Sequence, residues 1–201
     1  MGCGGAAPGE QGMTPHRRSL GMEPLSPQRK WRAITLATLV LVPAYWAILV
    51  GLVTTASKEP GGVANPAAAI ALGLALIPFV FVALAFLSGH PAAPGAVIKA
   101  MGLCLLVGIP VSAIAADAVT GIVAGVGAGG IVALRADEGH TWRARAGGVM
   151  VASVYTFVLA RTAGAIVLLP APVFPFTAIG VADHLAERRR EREISGASPP
   201  A

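Results

Sequence analysis

Two apolar stretches, residues 96–134 and 146–182, are each too long to cross a lipid bilayer once. A helix rises roughly 1.5 Å per residue, so either stretch would reach nearly twice across the ~30 Å hydrocarbon core. Each must therefore fold back on itself. Two single-length stretches, 33–54 and 66–88, precede them. The expected fold class is all-α: a polytopic helical membrane bundle of about six transmembrane segments.

The composition agrees with this reading. Hydrophobic residues make up 55% of the chain and charged residues 12%. The charges gather in tails and short loops, where a soluble domain would scatter them. Glycine and alanine crowd the apolar stretches, which suits close backbone approach between helices in lipid. The expected organisation is a disordered basic N-terminal tail over 1–30, a transmembrane helical bundle over 31–186, and a charged C-terminal tail over 187–201. Met13 and Met22 are alternative starts within the first tail. Met1-Gly2-Cys3 makes a poor lipidation signal, because Ala6 stands where myristoylation wants Ser or Thr and no apolar run precedes Cys3. Cys3 and Cys104 lie in a tail and an apolar stretch, so no disulfide is expected between them.

Orientation follows from the basic residues. Arg17, Arg18, Arg29, Lys30 and Arg32 precede the first segment and place it with its start in the cytoplasm. The loop after it carries Lys58 beside Glu59 and reads as external. The turn at 89–95, with Lys99 beyond it, reads as internal. Asp117 is the sole charge between Met101 and Leu134, so the outer turn of the third stretch is placed there, between helices at about 97–116 and 118–134. The 135–145 loop holds three arginines and returns to the cytoplasm. Six crossings leave thirteen of the fifteen Lys and Arg inside, Lys58 outside and Arg161 in the last stretch, with both termini cytoplasmic. A four-crossing arrangement would export the arginines of 135–145 and is rejected. Two breaks fit the last stretch. The preferred one uses the prolines of 169–175 and leaves a short final piece, tilted or re-entrant; the other falls at 161–164 and sets Pro170, Pro172 and Pro175 at mid-membrane.

Gly121, Gly125 and Gly129 recur every fourth residue and form a smooth helix-packing stripe. Internal packing against another helix of the chain is the plainer use, and an oligomer face the alternative. The run Gly125-Val126-Gly127-Ala128-Gly129-Gly130 matches the dinucleotide pattern in letters alone, since that motif needs a preceding strand and a helix N-terminus at the phosphates. Asp117 and Arg161 are the charges interior to the long stretches, and a charge in a membrane is a functional candidate. Both fall in the outer half, so an intramembrane charge pair between them is proposed, against the plainer reading in which each reaches interfacial water. Ser153, Tyr155, Thr156 and Thr162 add polar groups near Arg161. Pro43, Pro78 and Pro110 permit kinks, which line sites in transporters but are common in ordinary membrane helices. Asp137, Glu138 and His140 read as a solvated loop. The mixed-charge stretch after Asp183 is expected to continue as a short solvated helix up to Gly196, its arginines serving as a topology anchor or a contact for anionic lipid.

No catalytic, cofactor or metal residues are assigned. The formal charge of +5 sits at segment ends without aromatic interleaving, which argues against nucleic acid as a partner. The twelve arginines against three lysines, with abundant Ala, Gly and Val, match a GC-rich bacterial genome, and an actinobacterial origin is the expectation. The expected role is a non-enzymatic, multi-pass protein of the bacterial inner membrane, an accessory or assembly subunit of an envelope complex such as export or lipid-transport machinery. Its expected partners are membrane lipid and other membrane subunits or further copies of itself. The alternative is a small oligomeric transporter or channel with Asp117 and Arg161 on its path.

Overall fold

A computed structural model describes residues 26–57, 65–134 and 141–196. They form six α-helices and two short 3-10 segments, with no strand among the described residues. The helices are α1 (Pro27–Ser57), α2 (Pro66–Leu87), α3 (Ala93–Ala115), α4 (Ala118–Ala133), α5 (Thr141–Thr162) and α6 (Phe174–Gly196). Three of them, α1, α2 and α3, are long and apolar enough to cross a membrane. Helix α4 is apolar but has 16 residues.

Local chemistry sets most of the boundaries. Asn65 caps α2 by accepting the Ala68 amide at 3.0 Å, and Pro66 follows in the first turn, where its missing N–H costs nothing. Gly89 takes φ +71° in the turn before α3. Between α3 and α4 the chain reverses at Ala116, with φ +49°, and at Asp117, whose carboxylate accepts the amides of Val119 at 3.1 Å and Thr120 at 3.0 Å. The turn of this apolar stretch therefore falls at the charge where the sequence places it. Helix α1 starts at Pro27 instead of near residue 33, so Arg29, Lys30 and Arg32 belong to the helix they were expected to precede. Lys30 is held inside the bundle by acids on α6, which keeps this first turn wound. The remainder of the 1–30 tail, the loop around Lys58 and the loop with Asp137, Glu138 and His140 lie outside the described residues.

The last apolar stretch breaks across both of the expected places. Helix α5 stops at Thr162, Gly164 turns the chain with φ +59°, and 3-10 segments at Gly164–Leu168 and Ala171–Val173 carry it to α6. Pro170 and Pro172 sit in these tighter turns and Pro175 in the first turn of α6, where no helical donor is lost. Helix α6 then runs without interruption through the charged residues to Gly196.

Helix α4 is the centre of the bundle. Twelve of its residues are buried, nearly all Gly, Ala or Val. Small side chains let α2, α3, α5 and α6 gather around it, with Phe81 of α2 against Gly129, Val149 of α5 against Gly127 and Phe176 of α6 against Gly130. The other close pair is α1 with α2, where a Cβ on Gly73 would meet the Ala44 carbonyl oxygen at 2.5 Å. Large apolar side chains point outward instead: Ile98, Leu106, Ile109 and Ile114 on α3 are 65–86% exposed. An exposed apolar surface of this extent belongs against lipid or another protein and not against water.

The two ends of the bundle differ sharply in charge. One end gathers the start of α1, the α2–α3 turn, the end of α4, the start of α5 and the charged half of α6, as the contacts of Lys30, Ser88, Arg145 and Asp183 show. The opposite end holds the α3–α4 turn and the end of α5, where Arg161 donates to the Ala115 carbonyl at 2.8 Å. Among the described residues that end carries Asp117 and Arg161 as its charges.

Candidate functional site

The most specific arrangement of side chains is a buried charge cluster at the basic end. Lys30 and Arg145 are each 3% exposed and Asp183 is 1% exposed. The Arg145 guanidinium grips the Asp183 carboxylate with two bonds, Nε to Oδ1 at 2.7 Å and Nη2 to Oδ2 at 2.9 Å. Its Nη1 donates to the Leu134 carbonyl oxygen at 2.6 Å. Lys30 Nζ lies 3.5 Å from Asp183 Oδ2 and 3.0 Å from Glu187 Oε1. Two cations thus face two carboxylates, and the cluster is formally neutral.

Each member is placed by the element that carries it. Asp183 and Glu187 are four apart on α6 and share a face, so one lysine reaches both. Arg145 lies one turn into α5 and reaches the end of α4, where carbonyls without helical partners carry the negative end of the helix dipole. Lys30 arrives from the first turn of α1. The result ties four helices together by hydrogen bonds whose directions specify register as apolar contact does not. A buried ion set of this kind adds little stability relative to apolar replacements, but it is costly to break. Its chemistry is that of a clamp: every charged group is matched.

The glycine stripe is used inside the chain. A Cβ on Gly125 would stand 2.5 Å from the Cys104 carbonyl oxygen and 3.0 Å from Gly108 Cα; one on Gly129 would stand 2.6 Å from the Ala100 carbonyl oxygen; one on Gly121 would stand 2.8 Å from that of Gly108. The facing residues Ala100, Cys104, Gly108 and Ser112 are themselves spaced by four. Two small-residue ladders on antiparallel helices interlock; the one on α4 is marked in the sequence by its glycines, the one on α3 is not. The dinucleotide-like run lies wholly inside α4, without the strand and turn that phosphate binding needs.

Asp117 and Arg161 are brought to the same turn, but no hydrogen bond or ion pair joins them. Asp117 is spent as the N-cap of α4, where its carboxylate also accepts the Thr120 hydroxyl. Arg161 bonds the Ala115 carbonyl and lies over the Phe157 ring, with its Cζ 5.3 Å from the centroid. The hydroxyls of Ser153, Thr156 and Thr162 donate to carbonyls of their own helix. Capping predicts that Asp117→Ala costs about 1 kcal/mol, whereas Asp117→Ser retains most of that stability, as thermal unfolding of the two variants will measure. A requirement for the negative charge itself would instead make the serine variant as weak as the alanine one.

Sequence reasoning missed the clamp. Lys30 and Arg145 read as topology signals, because their acidic partners lie 157 and 38 residues away and no periodicity links them. The available signal was local to α6, an aspartate closing the last apolar stretch with a glutamate one turn on. No family model, curated protein or solved structure matches this chain.

Proposed function

We propose that this is an integral protein of a bacterial inner membrane, crossing it six times with both termini cytoplasmic, and serving as a non-enzymatic accessory or assembly subunit of a larger envelope complex. The observation that carries the reading is the outer surface of α3. One side of this helix is locked to α4 by small residues, while Ile98, Leu106, Ile109 and Ile114 stand uncovered. That surface suits lipid and neighbouring membrane helices. The orientation is supported by the exposed basic residues Arg29, Arg32, Lys99, Arg143, Arg188, Arg189 and Arg190, all at one end. A transport role for Asp117 and Arg161 is disfavoured by the cap and carbonyl bonds that already occupy them.

The test is isolation of the full chain, tagged at its C-terminus, from its native membrane in a mild detergent, followed by mass spectrometry. Reproducible stoichiometric membrane partners are expected. A lone homo-oligomer or monomer would overturn the subunit assignment and return attention to transport.

A further inference from the structure

We infer that a groove between the first turns of α1 and the last turn of α2 binds the phosphate headgroup of an anionic phospholipid. The groove has a volume of about 680 Å³, and its lining includes Gln28, Arg29, Trp31, Arg32, Leu36 and Phe86. Arg29 and Arg32 are exposed, and among the described residues neither guanidinium has a hydrogen-bond or ion-pair partner. Lys30, between them in sequence, turns the other way into the clamp. Among the described residues no carboxylate lines this groove, whereas a second groove at this end, between α5 and α6, sets Glu193 beside Arg189 and Arg190. Two unpaired guanidinium forks and an amide are the donors that a phosphodiester accepts from most readily.

The walls select a lipid over a free phosphate. Below Arg32 on the same helix face come Leu36 and Leu39, 46% and 62% exposed. On α2, Phe86 is followed along its face by Val82 and Phe79, 37% and 59% exposed. This apolar track leads away from the arginines for about two helical turns, roughly 10 Å, toward the middle of the bundle. Trp31 flanks the groove at the level where an indole favours the membrane interface, and packs over Gly180 of α6. A headgroup satisfies the guanidinium groups and an acyl chain covers the track; basic pockets between helices at the cytoplasmic surface recognise anionic lipids in this way.

The inference rests on the membrane insertion proposed above, which a carbonate wash of native membranes tests separately: release of the chain into the supernatant overturns that reading whatever lipid does. For the groove, the full-length protein in a neutral detergent is melted with phosphatidylglycerol, phosphatidylcholine or inorganic phosphate. Phosphatidylglycerol at ten times its Kd is expected to raise Tm by on the order of 3 to 5 °C, with no shift from the other two. Arg29→Gln/Arg32→Gln abolishes the shift, and so does Leu36→Glu, which keeps both arginines and sets a carboxylate among them. Replacing Arg188, Arg189 and Arg190 by glutamine leaves it intact. The groove is not the site if the shift survives in the first two variants or is lost in the third. Recognition of an anionic lipid is overturned if phosphatidylcholine stabilises as well as phosphatidylglycerol, which removes the charge selectivity, or if inorganic phosphate does, which removes the role of the acyl chain.

Discussion

Replacing Asp183 by alanine is expected to destabilise the bundle by about 3–5 kcal/mol, because it leaves Lys30 and Arg145 buried without a counter-charge. For a chain of this size that is a fall in Tm of on the order of 10 °C or more. Unfolding followed by tryptophan fluorescence suits the measurement, since Trp31 lies against Gly180 of α6 and reports separation of that helix from α1. Glu187→Gln is expected to cost far less, about 0.2–1 kcal/mol, because the Glu187 side chain is 44% exposed and water replaces part of what it loses. The decisive comparison is the concerted change Lys30→Met, Arg145→Met and Asp183→Leu. With all three buried charges gone, no desolvated charge is left unpaired, and stability is expected to recover most of the loss, short of the bond that the Leu134 carbonyl loses with Arg145. A loss under 1 kcal/mol for Asp183→Ala would falsify the clamp as a buried, tightly coupled set.

Gly125→Ala is the second large effect. The added carbon falls 2.5 Å from a backbone oxygen on α3, which no rotamer change relieves, so α3 and α4 must move apart. Overpacking of this kind costs about 1–3 kcal/mol, and Gly125→Leu is expected near the upper end or beyond, about 4 kcal/mol. Gly102 supplies the contrast. It lies in the same apolar stretch, on the exposed side of α3, with nothing within 4 Å of where its Cβ would stand. There alanine is expected to stabilise the helix by about 0.5–1 kcal/mol through the entropy that glycine otherwise loses. Melting of the two variants in detergent checks both. The reverse ranking would exchange the inner and outer faces assigned to α3.

Much of the architecture is legible without coordinates because hydrophobic length and charge placement act locally. Asp117 marks the α3–α4 turn since a lone carboxylate in an apolar run is cheapest at a helix N-terminus, where two backbone amides receive it. Gly121, Gly125 and Gly129 announce a packing face by spacing alone. The last stretch was harder: Gly164 and three prolines all offer breaks, and the chain spreads the reversal over two 3-10 segments to use them together. Arg161 shows the limit of reasoning from charge. Its guanidinium found a carbonyl freed at the end of α3 instead of the acid two residues further on.

By itself, then, the sequence determined the helical class, the approximate helix boundaries and the concentration of basic residues at one end, since each depends on the hydrophobicity or backbone preference of residues close together in the chain. Only the tertiary structure decided that the glycine stripe faces α3, that Lys30 and Arg145 leave the surface to enclose Asp183, and that Arg29 and Arg32 line a groove with an apolar track and have no ion-pair partner among the described residues. These depend on the rotation of each helix about its own axis, which is set by contacts between segments far apart in sequence.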